Sequence, residues 1–170
     1  MKIKITTLLL LIVLCSCDNP KEKEEKITTA ENAEETPEAE NESIAQLKKE
    51  LTDKGYQIFD YVDEKSGDTV LMQQYYIAFL KRGTNRSQNK DEADSLQQLH
   101  LTHLGSMYEQ GFADISGPFG DDGDIRGITI YNVPTQQMAD SLANIDPMVQ
   151  SGRLAIEIHP WWAAKGFPLR

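Results

Sequence analysis

The chain has 170 residues, of which 39% are hydrophobic, and its 27 acidic and 17 basic side chains give a formal net charge of −10. This length suits one domain with one core once any targeting segment is set aside. The acidic balance argues against a nucleic-acid partner.

The first 16 residues are typical of an export signal. Lys2 and Lys4 precede an apolar run that is too short to span a membrane, which takes about 20 residues. The sequence Leu14-Cys15-Ser16-Cys17 resembles the lipobox of bacterial lipoproteins, which implies a signal peptide at 1–16 and a lipid on Cys17. We therefore expect a lipid anchor on a membrane of the bacterial cell envelope, and the alternative is cleavage nearby without a lipid.

Residues 18–43 carry ten acidic residues and three lysines, a net charge of −7. A segment of this composition buries too little apolar surface to fold, so 17–43 is predicted to be a disordered acidic tether. Cys15 would be removed with the signal peptide and Cys17 would carry the lipid, so the folded part would have no thiol. Disulfides, cysteine catalysis and thiolate zinc sites are thereby excluded there.

An N-terminal extension is predicted at 44–71. Residues 44–54 have helical apolar spacing that ends at Gly55, and residues 56–62 and 69–80 alternate like the strands of a hairpin. The second of these strands is apolar on both faces, which indicates that both faces are covered.

The longest amphipathic pattern of the chain, residues 91–111, predicts a helix. Its apolar stripe contains both His100 and His103, together with Ala93, Leu96, Leu99, Leu104 and Met107. Short strands at 112–116 and 126–133 then flank a polar loop at 117–124.

A second helix is expected to open at Pro134, with Met138, Leu142 and Ile145 as its stripe, before the break at Pro147. The last strand alternates at Leu154, Ile156 and Ile158.

From Met72 onward the order of elements is strand, helix, strand, strand, helix, strand. This is the α+β, ferredoxin-like βαββαβ arrangement, in which both helices cover one face of an antiparallel sheet. We expect the other face to expose Tyr76, Ala78, Leu80 and Val133 and to be buried by a second copy of the chain. The alternative is that the N-terminal hairpin or helix covers this face within one chain.

An ordered set of short motifs spans residues 72–165: Phe79-Leu-Lys-Arg-Gly83, His100-Leu101, Gly111, Ser116-Gly117-Pro118 with its extension to Asp124, Arg126-Gly127, Asp146-Pro147, Gly152-Arg-Leu154 and His159-Pro-Trp-Trp162. In this order and spacing they resemble the YCII-related family. The resemblance implies a dimeric α–β barrel. It also implies a functional histidine and an aspartate before proline, which fall on His100 and Asp146; some relatives act on small cyclic organics, including removal of hydrogen chloride from a chlorinated hydroxyquinol.

His100 with Asp146 is the strongest candidate for catalysis. A carboxylate that accepts from one imidazole nitrogen fixes the tautomer and leaves the other nitrogen as an acid or base near neutral pH. The alternative is a core histidine bonded to a helix-capping aspartate, with no substrate.

Five further residues are candidates for ligand binding. His103 shares the stripe of His100, although packing explains it equally and no third metal ligand is evident. Ser116, Gly117 and Pro118 are small residues that let a ligand approach the backbone, or they form only a tight turn. Arg126 pairs with an anionic substrate or bridges to the acidic loop.

Two other clusters are weaker candidates. Glu157 and His159 share a strand face and form a second dyad, unless His159 stacks with Trp161 or Trp162. The acidic loop of Asp121, Asp122 and Asp124 lacks the spacing of a calcium-binding EF-hand, which favours a solvated turn.

Two functions remain open. One is a membrane-tethered enzyme without cofactor or metal, in which His100, oriented by Asp146, moves a proton on a small organic molecule. The other is a non-catalytic module for small-ligand binding or structural dimerisation. A cavity of ligand size beside His100, with few other polar groups, favours the enzyme, whereas a ring sealed by leucines favours the module.

Overall fold

The computed structural model describes residues 37–169, with side chains from residue 43 onward. The predicted signal peptide at 1–16, the lipid on Cys17 and the tether up to residue 36 lie outside the described residues. The elements follow in the order α1 (Pro37–Asp53), β1 (Ile58–Val62), β2 (Thr69–Arg82), α2 (Lys90–Glu109), β3 (Ala113–Pro118), β4 (Ile125–Tyr131), α3 (Gln136–Asn144), α4 (Pro147–Gln150) and β5 (Leu154–Ala164). None of the helices described is long and apolar enough to cross a bilayer.

One antiparallel sheet contains all five of these strands, and β2 is its centre. The whole length of β5 pairs with β2, β4 pairs with the second half of β2, and β3 pairs with β4. The order β5-β2-β4-β3 is that of a ferredoxin-like sheet, so the predicted α+β, ferredoxin-like βαββαβ fold is confirmed. The predicted hairpin is also present, since β1 pairs with the first half of β2.

The face of β2 that carries Tyr76, Ala78 and Leu80 is buried beneath the helices. Ala78 has no exposed surface and lies in one core cluster with Ala139 and Ala143 of α3, where small side chains allow a close approach. The expectation that these residues and Val133 lie on the open face is therefore wrong. Strand alternation separates the two faces of β2, but it does not say which face the helices cover.

The opposite face of the sheet carries an apolar patch that none of the described helices covers. Its members are paired in register across three strands and are all half-buried: Ile77, Phe79, Ile115, Ile128 and Ile130. The N-terminal extension covers only the far end of this face. There Lys48 of α1 bonds Asp60, which is in register with Leu71, and Leu71 and Tyr75 are buried.

Several boundaries differ from those predicted. α1 begins at Pro37, inside the predicted tether, because proline suits a first helical turn and the glutamate and alanine residues that follow favour helix. Two residues predicted to lie on apolar stripes, Leu99 and Ile145, are about half exposed. α3 starts after the capping residue Thr135 rather than at Pro134.

β5 runs on through Pro160 to Ala164, beyond the alternating residues Leu154, Ile156 and Ile158 from which the strand was predicted. Among the described strands it pairs only with β2, so it forms an edge of the sheet. A proline is tolerated on an edge strand because its missing N–H removes no bond between strands. The extended β5 places Trp161 and Trp162 beside the first half of β2.

Candidate active site

The candidate site is built on α2, whose first turn is fixed by a capping box. The side chain of Asn89 accepts from Glu92 N at 3.0 Å, and the side chain of Glu92 accepts from Asn89 N at 2.9 Å. These bonds satisfy two backbone donors that the start of a helix leaves free. Three turns further along, α2 buries His100, and about two turns after that it buries Met107.

Asp146 comes from a distant part of the chain, at the start of the short helix α4, which packs against α2. Its Oδ1 accepts from Met148 N at 2.8 Å, which makes Asp146 the N-cap, and Pro147 takes the first helical position. Its Oδ2 lies 2.5 Å from His100 Nδ1. Both residues are buried, with 3% of Asp146 and 8% of His100 exposed.

The ionisation of Asp146 determines the tautomer of His100. Burial raises the pKa of the Asp146 carboxyl, but the hydrogen bonds from His100 and from Met148 N outweigh burial and hold that pKa below its usual range. The carboxylate can therefore only accept, and His100 Nδ1 must carry the proton that it donates. In the neutral ring, Nε2 then has a free lone pair, and it has no hydrogen-bond partner among the described residues.

His100 lines a cavity of about 490 Å³ between the helices and the sheet. This volume is in the range of pockets that hold small organic molecules. Apolar side chains form much of its wall: Leu80, Leu101, Leu104, Met148 and Leu154. The ring is therefore not sealed by leucines, although the wall is more polar than the sequence led us to expect.

Four of the five predicted ligand-binding residues line this cavity: Ser116, Gly117, Pro118 and Arg126. The hydroxyl of Ser116 lies 3.0 Å from that of the buried Thr129. Arg126 donates to Asp122 at 2.7 Å, so it bridges to the acidic loop and lines the cavity as well.

His103, the fifth, does not line the cavity. Its Nε2 is buried without a hydrogen-bond partner in the described part of the chain, and burial lowers its pKa.

The second predicted dyad forms on the exposed face of the sheet. His159 Nε2 lies 2.8 Å from Glu157, which also accepts from Lys81 at 3.0 Å. The ring of His159 packs edge-on against Phe79 at 5.8 Å between centroids, rather than against a tryptophan. Within the described residues, no group of three or more His, Cys, Asp or Glu side chains is placed to hold a metal ion.

Sequence reasoning missed three arginines of the cavity wall, Arg82, Arg86 and Arg153. Arg82 and Arg86 are four residues apart, but Arg153 comes from a distant segment, and no local pattern relates the three. Two features of the sequence could have drawn attention to them. The sequence has only five arginines, and three of these, Arg82, Arg126 and Arg153, stand next to a glycine.

No protein-family model matches the chain, and no curated protein matches it. Among solved structures, the chain is similar to 5-chloro-2-hydroxyhydroquinone dehydrochlorinase from Burkholderia phenoliruptrix AC1100, which was solved in complex with 2,5-dihydroxybenzoquinone. The two are 18% identical, the match covers 51% of this chain and 92% of that chain, and the TM-score is 0.38. The fold assignment above therefore rests on strand order and pairing alone.

Proposed function

We propose that this chain is a membrane-tethered, YCII-related acid–base enzyme that acts on a small organic molecule without a cofactor. The observation that carries the proposal is the buried His100–Asp146 pair in the wall of a cavity of ligand size. In this role His100 Nε2 accepts a proton from the bound molecule. The hydrogen bond to Asp146 orients the ring of His100. Because the Asp146 carboxylate stays ionised, it also stabilises the imidazolium that forms.

The experiment is a screen of small organic molecules by thermal shift on the purified full-length chain, followed by mass spectrometry of each hit for conversion. His100→Gln should keep binding and lose conversion. The matched control is His159→Gln, which alters the exposed histidine–carboxylate pair on the opposite face. Conversion that survives in His100→Gln would refute the proposed role of His100.

A non-catalytic module that binds a small ligand is the second candidate. It is favoured by the other bond of Asp146, whose Oδ1 caps α4 and so has a structural function whatever His100 does. In that case the screen finds molecules that bind the wild-type chain at the cavity, and none of them is converted. A wild type that converts a hit excludes this candidate.

We infer that the chain forms a homodimer through the open face of the sheet. The apolar patch of Ile77, Phe79, Ile115, Ile128 and Ile130 is flanked by the Lys81–Glu157–His159 cluster, which resembles the apolar centre and polar rim of an interface. Ile130→Asp should then yield a monomer in sedimentation at micromolar concentration. Tyr108→Asp, on an exposed part of α2, should remain dimeric, and a monomeric wild type would contradict the inference.

The membrane tether is a separate proposal that rests on the lipobox resemblance at residues 14–17. Cys17→Ser should release the protein from the membrane fraction because the variant cannot be lipidated. Cys15→Ser, two residues away, is the matched control and should stay with the membrane. Retention of the Cys17 variant would count against a lipid anchor.

A further inference from the structure

The cavity beside His100 collects most of the arginines of the chain. Four of the five arginines in the sequence line it: Arg82, Arg86, Arg126 and Arg153. None of the described lysines does, and Asp122 is the one carboxylate among the described lining residues. Residues 44–170 have a net charge of −5, with 12 basic and 17 acidic side chains, so this concentration of positive charge runs against the balance of the domain.

Asp122 neutralises only part of this charge. It accepts from Arg126 at 2.7 Å and from Arg82 at 3.0 Å. Arg153 donates to the amide oxygen of Gln88 at 3.2 Å, and within the described residues neither Arg153 nor Arg86 has a carboxylate within ion-pair distance. The lining thus carries four guanidinium groups against one carboxylate.

The backbone brings these two arginines together. Gly83 N donates to Arg153 O at 3.0 Å, and Asn85 N donates to Gly152 O at 3.1 Å. These bonds fasten the loop that carries Arg86 to the turn that carries Arg153. Partial desolvation and the nearby guanidinium groups of Arg153, Arg82 and Arg126 lower the pKa of Arg86, so these like charges lie close to it.

We propose that the ligand of this cavity is an organic anion, whose carboxylate or phosphate group is bound by Arg86 and Arg153. The guanidinium group offers a planar pair of donors that matches a carboxylate or phosphate oxygen pair, which a lysine does not. The apolar remainder of the ligand packs against the leucines and Met148 of the wall, next to His100. This assignment rests on the proposed function and names the substrate class for the same site.

The test uses benzoate, phenyl phosphate and the neutral benzyl alcohol as probes, titrated into the purified full-length chain by calorimetry. Benzoate or phenyl phosphate should bind at least about tenfold more tightly than benzyl alcohol, and more weakly as salt is added. The preferred anion distinguishes a carboxylate site from a phosphate site. Equal binding of all three probes, or no binding of either anion, would overturn the proposal.

Four variants sharpen the test. Arg153→Gln and the exposed Arg86→Gln should each weaken anion binding about tenfold, and Lys65→Gln in the surface turn before β2 should leave it unchanged. Asp122→Asn should tighten it, because removal of the one lining carboxylate frees Arg82 and Arg126; damage to the fold would not produce this gain. Unchanged binding in both arginine variants overturns the proposal.

The two proposals fail separately. His100→Gln should bind the preferred anion about as well as the wild type, since the arginines and not the imidazole hold its charge. Arginine-dependent binding with no conversion of any anion would refute the enzyme and leave the anion site standing. Conversion of a neutral molecule, unaffected by Arg153→Gln, would refute the anion site and leave the enzyme standing.

Discussion

Asp146→Asn separates the two bonds of the buried carboxylate. The amide oxygen of asparagine can still accept from Met148 N, and asparagine caps helices as well as aspartate does. The amide nitrogen takes the place of Oδ2 and can only donate, so His100 Nδ1 must become an acceptor. The neutral ring then carries its proton on Nε2, which is the wrong tautomer for the proposed role of His100 as a base.

The cost to stability follows from the bond that changes. A hydrogen bond to a charged group contributes about 1.5–3 kcal/mol and a neutral one about 1 kcal/mol, so the free energy of unfolding should fall by roughly 0.5–2 kcal/mol. For a domain of this size that lowers Tm by roughly 2–8 °C. Asp146→Ala leaves both His100 Nδ1–H and Met148 N–H without an acceptor, and the loss should reach about 2–5 kcal/mol.

The assay combines ¹⁵N NMR of labelled histidine, which identifies the protonated nitrogen of His100, with thermal unfolding of both variants. The pKa of Asp146 lies below its usual value of about 3.9, so the wild type gains stability from this carboxylate above that pH and loses it as pH falls through the lower native value. Asp146→Asn should lack this loss in acid. An unchanged tautomer in Asp146→Asn, or equal destabilisation by Asn and Ala, would refute the reasoning.

Three further predictions concern packing and capping. Gly83→Ala should destabilise the fold by more than about 2 kcal/mol in chemical denaturation, since its Cβ would lie 2.1 Å from Gly152 O. Gly105→Ala on α2, whose Cβ would meet nothing within 4 Å, should instead stabilise the fold by about 0.5–1 kcal/mol. Similar effects of the two substitutions would contradict the packing described. Burial lowers the pKa of His103 in the folded state, so the wild type loses stability as pH falls from 7 to 5, where the unfolded chain takes up a proton near pH 6.5. His103→Phe should lack this loss and so gain stability relative to the wild type over that range. Parallel plots of unfolding free energy against pH for the two proteins would argue against this. Asn89→Ala should cost about 1–2 kcal/mol through loss of the capping box, and a negligible cost would show that α2 does not depend on it.

The sequence predicted the order of the elements because their periodicities are strong, but it could not assign the faces of β2. Both faces are apolar, and the period of two is the same whichever face the helices take. The deciding feature is tertiary: the small Ala78 lies opposite Ala139 and Ala143 of α3. That match between two distant segments has no local signature.

The candidate site was predictable to different degrees. Asp146 stands before Pro147, a local signal for a helix start, and His100 lies on an amphipathic helix, so the contact between them could be expected from the family resemblance and elementary capping rules. The sequence predicted a ligand-binding role for Arg126, but the grouping of four arginines around one cavity could not be foreseen in this way. They come from β2, β4 and the loops next to β2 and β5, and only the pairing of those strands places them around one cavity.

The fourteen residues of β2 are shared by the N-terminal extension and the ferredoxin-like fold. Their first half pairs with β1 of the N-terminal extension, their second half pairs with β4, and β5 accompanies both halves. A shortened protein that starts near Met72 would keep every element of the minimal fold. It would lack β1, the strand paired with the first half of β2, and would expose Gln73 and Tyr75, which are buried in the full domain. The extension is thus an integral part of the domain. Its removal would leave unpaired backbone N–H and C=O groups along the first half of β2, and such an exposed strand edge is prone to self-association.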